Sequence, residues 1–410
     1  MGTIRPMVLI GCGGSGGKTL RIAHDAIMRR LRGKGWTGEM PDSWQFLWID
    51  VPINQEGGHE FGSQLDPTSY VGLVKPATVY RTGIDAAVMK IRNTDPADLV
   101  GWRPDPAAVK ISIEDGAGQF RSIGRMISVR QGVAIAERVK ATYDRTALGT
   151  SISQLEAVGT LLGAQVSQRP KVFLVSSLAG GSGAGTFLDV ADIVAIHSNS
   201  PESVTGILYT ADVFKGIENA NGVEGNSLAS LAELLAGYWS EEPRSMSLFA
   251  SQGLPSKQIT RGGMSYPFLV GSTNANGVSL SNQVEVYRST GELLALITVS
   301  GEVQEQVVQF MSGNWQASAI GNSDRLGIQG PLEMAPTSAL GYARLGLGRD
   351  RFKQYSIRRL ARSAIEFLSS GYLAMNHYTD GPMTPSEALR DIVEHNKLVF
   401  LDSCALNERP

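Results

Sequence analysis

Lys171–Thr186 reads KVFLVSSLAGGSGAGT. Val172, Phe173, Leu174 and Val175 form a continuous apolar run, the pattern of a strand buried on both faces of a parallel sheet. The run empties into Ala179–Gly185, where four of seven residues are glycine, and Phe187–Ile196 follows as a helix. Strand, glycine loop and helix in succession remove Cβ atoms where a ligand meets backbone. They also aim free N–H groups and the positive end of a helix dipole at an anion, and phosphate is the natural guest. The plainer alternative is a glycine turn that only lets a helix pack close to a sheet.

Toward the N-terminus the same grammar recurs. Met7–Ile10 is a short apolar strand, Gly11-Cys12-Gly13-Gly14-Ser15-Gly16-Gly17-Lys18-Thr19 follows, and Leu20, Ala23, Ile27 and Leu31 then repeat at helical spacing until Gly33. Gly11-x-Gly13-x-x-Gly16 satisfies the dinucleotide fingerprint, which alone is a weak signal. Gly17-Lys18-Thr19 ends like a P-loop, but the glycine that motif requires is Cys12. Lys18 either reaches phosphate or faces solvent. Asp50 closes the strand Trp44–Ile49 at the edge where open α/β sheets bind ligands; it stands too far from the glycines to be a dinucleotide ribose acid, and a strand-end cap is its bland alternative.

Further along, Lys110–Ile113 reads as a strand, Asp115-Gly116-Ala117-Gly118 as a turn, and the residues to about Leu148 as one long helix with Val133, Ala136 and Val139 in its stripe. Arg121 and Arg125 lie four apart, so both fall on one face near those glycines, placed for phosphate or an acidic partner. Val204–Thr210 is a strand and Ala229–Trp239 a helix. Met264–Val270 and Gly277–Leu280 read as a hairpin turned at Asn276-Gly277, and Asn282–Val299 as a long helix whose Asn282 or Glu285 is a cap or a ligand contact.

Several of these blocks carry one resemblance. Ala179-Gly180-Gly181-Ser182-Gly183-Ala184-Gly185 resembles the Gly-Gly-x-Gly-x-Gly signature of the tubulin/FtsZ GTPase family, with Ser182 where Thr is common. Gly11–Thr19 is similar to that family's first phosphate loop, and Asp115–Arg125 to the segment in which Gly116, Ala117 and Gly118 meet the terminal phosphate and Gly124-Arg125 opens a helix. Val223–Leu228, with Glu224 and Asn226, resembles the ribose loop, where Glu218 competes for the role of ribose acid. Thr337–Gly341 and Arg349–Leu373 look like a strand and helix of divergent bacterial members.

The resemblance implies an α/β, Rossmann-like three-layer GTPase domain with a central helix and a reduced second domain. It implies GTP or GDP with Mg²⁺, Asp50 near the phosphates and the metal, Asn282 or Glu285 at the base, and self-assembly into filaments. Family hydrolytic acids follow the central helix and act on the next subunit's nucleotide; Glu302 and Glu305 are nearest in register and Asp324 is a third candidate, although no Asn-x-Asp pattern is present. Two rivals stand beside the polymerising GTPase. One is a non-hydrolysing nucleotide-dependent scaffold with a partner protein at its open end. The other is a Rossmann oxidoreductase using NAD(P), which needs only the first glycine loop.

Bulk properties narrow the classes. The 410 residues, 42% hydrophobic and 19% charged, suit a globular chain, and a net charge of −2 makes no electrostatic case for nucleic acid. Two cysteines, Cys12 and Cys404, provide no disulfide framework, so a reducing cytoplasm is expected, and no apolar run is long enough to span a membrane. The expected organisation is a nucleotide domain over 1–240 with an insertion or flap at 51–110, a hairpin and central helix over 241–310, and a divergent region over 311–410.

Overall fold

The computed structural model describes residues 2–91, 103–198, 204–217, 222–239, 252, 264–274, 276–280, 282–311, 337–342, 349–370 and 384–403. Its strands are β1 (Thr3–Ile4), β2 (Met7–Cys12), β3 (Trp44–Asp50), β4 (Tyr70–Gly72), β5 (Gln165–Val166), β6 (Lys171–Ser177), β7 (Val204–Tyr209), β8 (Tyr266–Val270) and β9 (Ser338–Ala339). The helices are α1 (Gly13–Gly33), α2 (Ala86–Val88), α3 (Arg121–Arg130), α4 (Gly132–Arg145), α5 (Gly149–Leu162), α6 (Ser182–His197), α7 (Val223–Trp239), α8 (Gln283–Val299), α9 (Gly301–Gln309), α10 (Arg349–Ser370) and α11 (Pro385–Ser403).

Seven strands form one parallel sheet in the order β4-β3-β2-β6-β7-β8-β9. Strand periodicity explains its two cores. Val8 and Ile10 of β2 point to one face, where they join Met126 and Ile127 of α3 and Val190 and Val194 of α6. Met7 and Leu9 point to the other, against Leu20 and Ile27 of α1 and Leu294 and Ile297 of α8. Helices therefore cover both faces, which is why β2 and most of β6 are buried throughout and read as unbroken apolar runs. β1 and β5 make a separate parallel pair beyond the amino edge.

The chain divides into two compact units, Met1–Tyr342 and Ala343–Pro410. In the second, α11 opens with a capping box: the Thr384 backbone N–H donates to Glu387 Oε2 at 2.7 Å and the Glu387 N–H to Thr384 Oγ1 at 3.4 Å.

Three local expectations are corrected. Lys110–Ile113 is not a strand; Ile113 is buried in a single 3₁₀ turn, and the slot beside β3 is filled by Tyr70–Gly72, three residues too short to show a period. The long helix from Arg121 breaks at Gln131, just before Gly132, giving α3 and α4, the second ending at Arg145; Ile135 takes the buried place expected of Val133, which is exposed. Met264–Val270 does not form a hairpin with Gly277–Leu280. β8 pairs in parallel with β7 and β9, while residues 272–280 close a small loop through one Thr273–Ser279 bridge and the Gly277 N–H to Asn274 carbonyl bond.

Candidate functional site

Neighbouring strands β2 and β6 send their helices to opposite faces, α1 to one and α6 to the other. Such a reversal opens a crevice at the carboxyl ends of the strands. Gly13, the first residue of α1, enters it at φ +71°, and a Cβ there would stand 2.5 Å from the Gly183 nitrogen. Gly181 immediately precedes α6; its N–H donates to the Gly118 carbonyl at 3.1 Å, and a Cβ would stand 2.4 Å from that oxygen. The first loop thus touches the 179–183 loop, which touches the 116–118 loop. Asn226 of α7 ties the last two together, its Nδ2 donating to the Gln119 carbonyl at 2.6 Å and the Ala179 carbonyl at 3.0 Å.

Together these segments wall a cleft of about 360 Å³. Cys12, Gly13, Gly14, Ser15, Lys18, Asp50, Gly116, Ala117, Gly118, Ala179, Gly180, Gly181, Ser182 and Gly183 all line it. Gly11 lies behind the wall, packed against Gly16. Neither α1 nor α6 has a side-chain cap or an acid in its first turn, so their leading N–H groups and dipoles meet the cleft without a capping side chain of their own.

Other expected residues stand elsewhere. Arg125 does not line the cleft: it meets Glu233 at 3.2 Å and Asp189 at 3.8 Å, and Arg121 makes a two-pronged bond to Glu233 at 3.0 and 2.8 Å. Of the two expected roles, phosphate contact or an acidic partner, α7 supplies the second for both arginines. Glu224 is exposed in the first turn of α7, away from the cleft lining, and Asn226 acts as the clamp just described. Asn282 caps α8, its Oδ1 accepting the Glu285 N–H at 3.1 Å, and it is Gln283 that faces the cleft. Glu218 and Asp324 lie outside the described residues. Glu302 and Glu305 sit on α9 at the opposite, amino edge, where Thr3 Oγ1 donates to Glu305 at 3.0 Å.

Sequence reading missed Glu56, Gln283 and Tyr287. Gln283 and Tyr287 are one helical turn apart, so their spacing alone puts them on one face; the Tyr287 hydroxyl donates to Gln283 Oε1 at 3.1 Å and lies 2.9 Å from Ser15 Oγ of the first loop. Phe214, Ile217 and Val223 give that end of the cleft an apolar side. At the other end a point just above Gly14 lies 3.3 Å from Glu56 Oε2, 3.6 Å from Lys18 Nζ and 3.9 Å from Asp50 Oδ2. Burial, with the Glu56 charge second, pushes the Asp50 carboxyl up to about 7, although Val51 N–H, Ser182 and Trp48 bond to it. Among the described lining residues the cleft sets three carboxylates, Asp50, Glu56 and Asp115, against one cation, Lys18.

The fold and cleft define an α/β protein whose glycine-rich turns gather at the switch point of a parallel sheet, an arrangement suited to an anion. A family model described as tubulin-like matches residues 8–366, and the chain belongs to that tubulin-like family. Its parallel sheet with helices on both faces is the tubulin/FtsZ GTPase fold. Among solved structures it is similar to CetZ2 from Haloferax volcanii in a GTPγS-bound protofilament, with 16% identity, 79% of this chain and 73% of that chain covered, and a TM-score of 0.35. It is also similar to the GDP-bound CetZ1 monomer from the same organism, with 12% identity, 76% and 64% covered, and a TM-score of 0.34. No curated protein matches it. No helix among the described residues is long and apolar enough to cross a membrane.

Proposed function

We propose that the protein binds GTP in this cleft, hydrolyses it and self-assembles into filaments in the cytoplasm. The observation that carries the reading is the meeting of three separately encoded glycine segments, the start of α1 at 13–15, the 116–118 turn and the 179–183 turn, in one cleft. A dinucleotide enzyme would need only the first loop; main-chain donors from all three suit a triphosphate. The phosphates lie along the starts of α1 and α6, and the base lies toward Gln283, Tyr287, Phe214 and Val223. Guanine, rather than adenine, is carried by family membership.

The donor set also fits Mg²⁺: Asp50 and Glu56 are hard oxygen donors near the space above Gly14, and a cation there would offset the burial and the Glu56 charge that push the Asp50 carboxyl up. Asp50 and Glu56 would hold the cation, which neutralises phosphate charge when bound. Hydrolysis is attack of water on the terminal phosphate, and the chain contributes fixed amides and helix dipoles where charge develops. The acids that orient the water are Glu302 or Glu305 of a neighbouring copy, because both stand at the edge opposite the cleft.

Phosphate release against protein concentration tests the reading. A superlinear rise is expected, and Glu302→Ala or Glu305→Ala should lower turnover at least about tenfold without changing nucleotide affinity. One observation favours the non-hydrolysing scaffold: Glu302 lies in the first turn of α9 and Glu305 already accepts from Thr3 of its own chain. That scaffold predicts tight GTP binding with no phosphate released at any concentration, and unchanged behaviour of both variants.

A further inference from the structure

The 56–63 loop, part of the segment between β3 and β4, is built onto α1 by one side chain. Arg21 is 2% exposed, and its guanidinium donates to five carbonyls of that loop: Nε to Ser63 at 3.1 Å, Nη1 to Glu56 and Gly57 at 2.8 and 2.9 Å, and Nη2 to Gly58 and Gly62 at 3.0 and 2.6 Å. Five donors meet five acceptors, so the fork is saturated and the loop has one seating. Asp25, one turn further along α1, accepts the Ser63 N–H at 2.9 Å. Phe61 is buried beneath Lys18, whose Nζ lies 5.4 Å from the ring centre. At its other end the loop places Glu56 Oε2 3.8 Å from Lys18 Nζ.

The charge of Arg21 is spent on the loop, and Arg121 and Arg125 face Glu233, so none of these cations lines the cleft. A triphosphate entering alone would find Lys18 already paired and three carboxylates at close range. Like charges in a partly desolvated cleft repel it; a divalent cation between phosphate and carboxylate reverses the sign of that contact.

We propose, on the nucleotide reading above, that Glu56 is a selectivity residue admitting the triphosphate only with a divalent cation, and that Arg21 is the residue that positions it. The pinned loop fixes the Glu56 backbone at the mouth, from which its carboxylate reaches Lys18 or a bound cation. Free of its glutamate, Lys18 would serve a metal-free phosphate; with Glu56 seated, it does so only when the cation draws the carboxylate away.

The test measures binding of a fluorescent GTP to the full chain in Mg²⁺ and in EDTA. Wild type should bind about tenfold or more tightly in Mg²⁺. Glu56→Gln, at a side chain 42% exposed, should raise affinity in EDTA by about tenfold and bring the ratio of the two affinities near one. Arg21→Lys, which keeps the charge and loses the fork, should move the ratio the same way, with a thermal melt showing a folded chain. A wild-type ratio near one, or a Glu56→Gln ratio equal to a raised wild-type value, overturns the proposal while nucleotide binding stands. Arg21→Lys lowering both affinities equally overturns the role of Arg21 as a positioning residue. Binding in neither buffer overturns the nucleotide reading itself, and this inference with it.

Discussion

Helices α1 and α6 begin at the cleft; α9 begins at the far edge of the same sheet, and the two kinds of start differ in chemistry. α9 is closed by its own sequence: Ser300 Oγ accepts the Val303 N–H at 3.4 Å, and Glu302 sits in the first turn against the helix dipole. α1 and α6 are preceded by Cys12 and Gly181, which offer no side-chain cap, and neither carries an acid in its first turn. A side-chain cap and an external anion do the same electrostatic work. Where the chain supplies no cap and three glycine segments also converge, the open helix starts are the place for the proposed phosphates.

That contrast can be broken at its strongest point. Gly181→Ala places a methyl 2.4 Å from the Gly118 carbonyl and must part the two loops, so GTP affinity by titration should fall about 100-fold. Gly149→Ala, at the start of α5 and outside the cleft lining, meets open space and should cost less than about threefold. Equal affinities for the two variants would show that loop contact is not what builds the site. Next in size, Asn226→Ala removes the clamp between the 119 and 179 carbonyls; urea unfolding should show a loss of about 1–3 kcal/mol, with GTP affinity reduced about tenfold. Smallest is Ser300→Ala, which uncaps α9: about 0.5–1 kcal/mol of stability lost, at the low end because the bond is long, and no change in GTP affinity. A change in affinity there would mean the two ends of the sheet are coupled within one chain.

Much of the site was legible because its signals are local. Two of the three glycine segments sit between a strand and a helix that announce themselves by period, and the cleft lies where open parallel sheets bind ligands. What failed to show depends on partners distant in sequence. Arg121 and Arg125 have the spacing of a phosphate clamp, and only the arrival of Glu233 from α7 turns them aside. Asn282 and Gln283 are adjacent, and helix phase alone makes one a cap and the other a cleft residue. Glu56 stands in a stretch without periodicity, so no pattern could assign it; Arg21 reads as one more helical arginine until five carbonyls are found around it.

The alternation of buried strands and helices, the glycine turns between them and the family to which they belong are written in the order of residues, because apolar period and backbone freedom are properties of neighbours. The tertiary structure decided which of those turns share a wall, that Tyr70–Gly72 completes the sheet, and which charges face the cleft and which face each other. Pairing of charges is settled by distance in space, and that distance is fixed only when β2 and β6 lie side by side and bring remote segments together.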